Sequence, residues 1–119
     1  MDQNCIFCKI SAGQIPSYKV YEDKNFVAFI DIHPLAPGHM QVIPKEHFHW
    51  VWDLPDAGKY FEVVQKIALA QKKAFNVEIV RSQIFGEEVP HAHIWVWPHD
   101  APGDKNDFAG NAEKIKANL

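Results

Sequence analysis

A chain of 119 residues that is 47% hydrophobic has apolar content for one modest core, which predicts a single domain over residues 1–119. A formal net charge of −3 excludes a protein that coats nucleic acid, because phosphate backbones demand clustered Lys and Arg; a single nucleotide held by a few directed donors stays compatible with it. The apolar runs are too short to span a membrane, and the opening "MDQNCIFCKI" has no basic stretch ahead of an apolar one, so the expected location is the cytoplasm.

In chain order, "FCKISAGQIP" predicts a short helical turn that stops at Gly13, with Pro16 ending the segment. "YKVYED" and "NFVAFIDI" alternate, are rich in β-branched and aromatic residues and are parted by "EDKN", which predicts a β-hairpin. "HPLAPGH" reads as a turn and "MQVIPK" as a further strand stopped by Pro44. After "HFHWVWDLP" the spacing predicts a helix from about Asp56 to Phe75, with Asp56 as its cap. Its expected apolar stripe is Phe61, Val64, Ala68 and Phe75, with Ile67 beside it. "VEIVRSQIF" predicts a strand, "GEEVP" a turn and "HAHIWVW" a strand closed by Pro98. Residues 99–119 form a polar tail with a short final helix in "AGNAEKIKANL". Strands joined by short turns around one long helix make an α+β domain with an antiparallel sheet.

Three stretches carry chemistry. On a strand, His91, His93, Trp95 and Trp97 share one face and Ala92, Ile94 and Val96 the other. Two imidazoles side by side fit either a solvated strand face or a site that needs them, since each buried ring nitrogen requires a partner. Cys5 and Cys8 are spaced C-x-x-C, which supplies two thiolates to a tetrahedral metal or simply two small buried thiols in a turn. A structural site needs four ligands, so the other two would have to be histidines. "DIHPLAPGHMQVIPKEHFH" places His39, His47 and His49 within eleven residues, in a chain with seven histidines.

"CIFCKISAGQIPSYKVYEDKNFVAFIDIHPLAPGHMQVIPKEH", followed about forty residues later by "GEEVPHAHIWV", resembles the histidine-triad (HIT) proteins, nearest the bacterial histidine-triad nucleotide-binding branch. The resemblance covers roughly residues 4–98. It implies an α+β fold with an antiparallel sheet of about five strands, one long helix and a short N-terminal helix, assembled as a homodimer. It implies binding of a purine nucleotide such as AMP. It also implies hydrolysis or transfer of nucleotidyl groups, from nucleoside phosphoramidates or dinucleoside polyphosphates, through a nucleotidyl-histidine intermediate.

Position by position, the resemblance makes His93 the nucleophile and puts His39 where a histidine close to the nucleophile could orient its ring. Asp31 matches the acid that holds the ribose hydroxyls, with Ile32 beside it, and Ile6, Phe7, Ile10 and Ile15 match the apolar pocket around the base. Cys5, Cys8, His47 and His91 match the ligands of a structural zinc in the zinc-bearing members. His33, His49 and His99 match no family role and read as surface histidines.

The chain departs from the pattern at two places. Trp95 stands where the third histidine of His-x-His-x-His usually helps to hold the phosphate. Indole donates one hydrogen bond, accepts none and cannot act as a general acid. The related galactose-1-phosphate uridylyltransferases have glutamine there and are active, so the change does not by itself predict a dead protein. The loop before the strand is shortened to "RSQIFGEE": Gly86 fits the family, and Ser82, Gln83 or the backbone near Glu87 and Glu88 could donate to the phosphate. A nucleotide-binding or interaction module with weak or no catalysis is the alternative reading. Trp50, Trp52, Trp95 and Trp97 fit core or dimer packing, or the wall of a pocket.

Overall fold

A computed structural model describes residues 4–119, so the first three residues of the opening stretch lie outside the described residues. Five strands form one antiparallel sheet: β1 (Lys19–Glu22), β2 (Phe26–Ile30), β3 (Met40–Pro44), β4 (Val80–Phe85) and β5 (His93–Pro98), in the order β1-β2-β3-β5-β4. Three helices accompany them: α1 (Ile6–Ser11), α2 (Ala57–Phe75) and α3 (Phe108–Lys116). A 3-10 turn over Val51–Asp53 lies in a stretch with no element expected.

Alternation along the strands divides the buried residues into two clusters. Phe26, Ala28, Ile30, Met40, Val42, Ile94 and Val96 pack with Tyr60, Val63, Val64, Ile67 and Phe75 of α2 and Ile115 of α3. Val27, Phe29 and Ile43 face the opposite way and pack with Cys5, Phe7, Cys8 and Ile10 at α1. Both faces of β2 and β3 are therefore covered, and every residue of those two strands is buried. Each fully buried aliphatic or aromatic side chain contributes about 1.5–3 kcal/mol, so this double packing fixes the strand register.

The long helix begins as expected, with the Asp56 side chain accepting from the Lys59 amide, and ends on Asn76 in the left-handed region at φ 52°. Its buried stripe is rotated from the expected one. Phe61 is 41% exposed while Tyr60 is fully buried. The Tyr60 hydroxyl donates to the Val42 carbonyl at 2.5 Å, which lets a residue with a polar tip take the inward position.

Two more boundaries differ. His91 and Ala92 precede β5 rather than belonging to it, because the Ala92 amide is taken by the Phe48 carbonyl and the His91 amide by Val89. Val77–Ile79 likewise precede β4. Between β2 and β3, Gly38 adopts φ +78°, and a Cβ there would lie 2.5 Å from the Phe75 ring. Gln71 of α2 donates to the carbonyls of Gly38 and Val96, tying this turn to β5 and setting the place of His39.

Candidate active site and metal centre

Cys5, Cys8, His47 and His91 come together with their ligand atoms all within 4.8 Å of one another. Cys5 sits at the start of α1 and its sulfur accepts from the Cys8 amide, so one helical turn brings both sulfurs to the same side. Cys5 Sγ lies 3.3 Å from His91 Nδ1, Cys8 Sγ lies 3.2 Å from His47 Nδ1, and the two Nδ1 atoms are 3.2 Å apart. A tetrahedron with zinc-type bonds to sulfur and nitrogen has edges of roughly 3.3–3.8 Å, close to these separations.

The donor chemistry agrees. His91 Nε2 donates to the Pro44 carbonyl at 2.8 Å, which leaves Nδ1 as a bare lone pair aimed at the sulfurs. Burial pushes the His91 pKa down to about 4 despite that bond, with His47 and His93 lowering it further, so the ring is neutral as a ligand must be. These four residues could hold one divalent metal.

His93 is turned the other way. Its Nδ1 donates to the His91 carbonyl at 2.7 Å, which selects the tautomer whose lone pair is on Nε2. The ring packs edge-on against Phe7, with centroids 5.2 Å apart, and is 5% exposed.

His93 lines a cavity of about 560 Å³, a size suited to a small ligand. Its lining includes the apolar Ile6, Phe7, Ile10, Ile15, Phe29, Ile32, Phe85 and Val89 and the polar or charged Asp31, His33, Gln41, Glu87, Glu88 and Trp95. No Lys or Arg is among the described residues that line it. Six buried side-chain polar atoms among the described residues have no hydrogen-bond partner, and three of them, Ser17 Oγ, Gln41 Oε1 and Trp95 Nε1, belong to lining residues. Orphaned polar atoms are costly in a folded chain, and their concentration here marks a place built for a polar ligand.

Asp31 accepts from the His33 amide at 2.8 Å and from Gln41 Nε2 at 3.0 Å. His39 is fully buried, and its Nδ1 accepts from the Leu35 amide at 3.0 Å. Its Nε2 therefore carries the hydrogen, 3.6 Å from Asp31 Oδ2. Burial lowers the His39 pKa, opposed by the Asp31 charge.

All the residues expected at the base, ribose and nucleophile positions line this cavity except His39, which packs against Trp95 and Trp97 at 5.2 and 5.6 Å between ring centroids. The His93 ring is held by the His91 carbonyl and by Phe7. Gly86 is also set apart: it is buried against Trp50, and its carbonyl accepts from His49 Nε2 at 2.9 Å. His49 is thus tied to the β4–β5 loop and stacked on Trp50, rather than being a free surface residue. His33 lines the cavity, and His99 lies 3.2 Å from Asp100. Gln41, Phe29, Phe85 and Val89 also line the cavity without matching any expected site position. Gln41 had a signal, as the one polar residue in the buried strand "MQVIP".

Comparison with known proteins places this geometry. The family model for the HIT domain matches residues 12–101. The chain is 39% identical over 101 residues to the adenosine 5'-monophosphoramidase of Saccharomyces cerevisiae, covering 82% of this chain and 64% of that protein. It superposes with a TM-score of 0.88 and 38% identity on a Hit-like protein involved in cell-cycle regulation from Bartonella henselae, over 99% and 98% of the two chains. A zinc-bound histidine triad family protein from Mycobacterium smegmatis superposes with a TM-score of 0.81 and 29% identity, over 96% and 91%.

Proposed function

The chain belongs to the HIT domain family, and from that premise we propose that it binds a purine nucleotide in the cavity beside His93 and transfers the nucleotidyl group to water. The observation that carries this reading is the His93 tautomer. A ring whose Nδ1–H is held by the His91 carbonyl keeps the Nε2 lone pair for attack, and the residue lines the cavity. In the first step Nε2 bonds to the α-phosphorus while the bond to the leaving group breaks, and the leaving amine takes its proton from water. In the second, water bonds to phosphorus, the bond to His93 breaks, a proton passes to solvent, and the nucleoside monophosphate departs.

Among substrates, a nucleoside phosphoramidate fits better than a dinucleoside polyphosphate. The lining supplies three carboxylates, Asp31, Glu87 and Glu88, and no Lys or Arg to balance a string of phosphates. The apolar lining takes the base, Asp31 the ribose, and Trp95 Nε1 donates to a phosphoryl oxygen. Cys5, Cys8, His47 and His91 hold a structural zinc, as the chemistry of the donor set supports; when bound, the metal fastens α1 to the start of the catalytic strand. One HIT domain spans the chain and works as a cytoplasmic homodimer. The exposed edge strand β4 and the exposed Trp52 and Ile79 suit pairing with a second copy.

One observation favours a second reading, that of a binding module with little turnover: the Trp95 indole donates a hydrogen bond but cannot protonate a leaving group as a general acid. The test is release of AMP from an adenosine phosphoramidate. Wild type should turn over, and His93→Ala should lose about 10³-fold or more in rate with its fold intact by circular dichroism. Turnover that survives His93→Ala ends the mechanism, while AMP affinity without turnover on any nucleotidyl substrate establishes the module.

A further inference from the structure

We infer that Gln41 is a specificity-determining residue, which together with Asp31 reads two adjacent hydroxyls of the ligand. This rests on the nucleotide reading above and identifies the part of the nucleotide that the chain discriminates.

Gln41 lines the cavity from β3, the central strand of the sheet. It pairs with Phe29 of β2 on one side and Trp95 of β5 on the other, and alternation puts His93 diagonally across from it on the same face. The side chain is 7% exposed. Gln41 Nε2 donates to Asp31 Oδ2 at 3.0 Å, so the NH2 group faces the carboxyl. That leaves Oε1, on the same carbon, as a buried acceptor with both lone pairs unused.

The neighbouring carboxylate is also short of donors. Asp31 Oδ1 receives the His33 amide and Oδ2 the Gln41 amide, so each oxygen retains acceptor capacity. His39 Nε2 stands 3.6 Å from Oδ2, beyond hydrogen-bond range. The corner formed by Asp31 and Gln41 therefore presents acceptors and asks for donors. A phosphate dianion supplies none, and neither does the apolar lining of the cavity. A vicinal diol supplies two O–H groups side by side, one for the carboxylate and one for the amide carbonyl. A site whose buried acceptors need a hydroxyl rejects the analogue that lacks it, because the acceptors are then left unpaired.

The experiment compares AMP, 2'-deoxy-AMP and 3'-deoxy-AMP by titration calorimetry on the full metal-loaded chain and on Gln41→Met, a substitution of similar shape. In the wild type at least one deoxy analogue should bind about fivefold or more weakly than AMP. In Gln41→Met that same penalty should shrink to about twofold or less. A structural role alone would weaken all three ligands together and leave the ratios unchanged, which overturns the inference. Equal wild-type affinity for all three ligands overturns it without any variant. If AMP itself fails to bind at millimolar concentration, the nucleotide reading falls and this inference with it.

Discussion

His93 Nδ1 donates to the carbonyl oxygen of His91 across 2.7 Å, so the ring that faces the cavity is aimed by the backbone of a residue whose own ring faces the cysteines. The two histidines use opposite nitrogens because different carbonyls hold them: Pro44 takes His91 Nε2, and His91 takes His93 Nδ1. Metal removal should therefore reach the nucleophile through one peptide unit. We expect about one zinc per chain. Cys5→Ser or chelation should lower the melting temperature by roughly 10 °C and AMP release by about 10–100-fold. Metal analysis, a thermal melt and the rate check this together, and a metal-free protein of equal stability and rate would show that the C-x-x-C binds nothing.

Trp95 offers a test of sign. Its Nε1–H is buried without a partner, while its ring packs edge-on against Phe85 and His39. Trp95→Phe keeps an aromatic ring and removes the orphaned donor. The unliganded protein should not lose the stability that deletion of a used hydrogen bond would cost, yet kcat/KM on the phosphoramidate should fall about tenfold, since the donor is used only when a phosphoryl oxygen arrives. Unchanged kcat/KM would remove Trp95 from the phosphate site.

Gly86, in the β4–β5 loop, packs directly against the Trp50 ring. A Cβ there would lie 2.3 Å from Trp50 Cζ3, and Trp50 is itself stacked on His49, which binds the Gly86 carbonyl. Gly86→Ala must displace an indole that has a partner on its other face. We expect a loss of about 1–3 kcal/mol, read by chemical denaturation. A change within about 0.5 kcal/mol would mean that Trp50 swings away freely.

What the sequence made legible was local. Asp56 as a cap, the β1–β2 hairpin and the two cysteines one helical turn apart depend on neighbours in the chain, and each is found where the spacing puts it. The pairing of β3 with β5, which sets Gln41 opposite Trp95, joins residues more than fifty positions apart and has no local signature. Tyr60 was hidden by its hydroxyl, which only a distant carbonyl on Val42 accounts for. His91 was placed on the strand by alternation, but Phe48 and Val89 claim the backbone around it first. The histidine pattern could be read; the carbonyls that orient the rings could not, because they come from Pro44 and from the path of the chain itself.

His39 makes a prediction about pH. It is fully buried, and desolvation holds its pKa below the ordinary value of 6.5, against the pull of Asp31. Asp31 is the charged group that faces it, while Trp95 and Trp97 cover its ring. Below pH 6.5 the unfolded chain takes up a proton at this residue while the native chain does not. Stability therefore falls as pH drops from 6.5 toward the native value, and the loss levels off below it. His39→Asn keeps an oxygen that can accept from the Leu35 amide, as Nδ1 does now, but it cannot titrate. Denaturant unfolding at roughly pH 7 and pH 5 should show the variant less sensitive to acid than the wild type, although it is less stable at the higher pH. Other histidines, His91 among them, contribute to both proteins, so the difference in slope isolates His39. Equal slopes would mean that His39 titrates alike in the native and unfolded chains, and that burial does not hold it neutral.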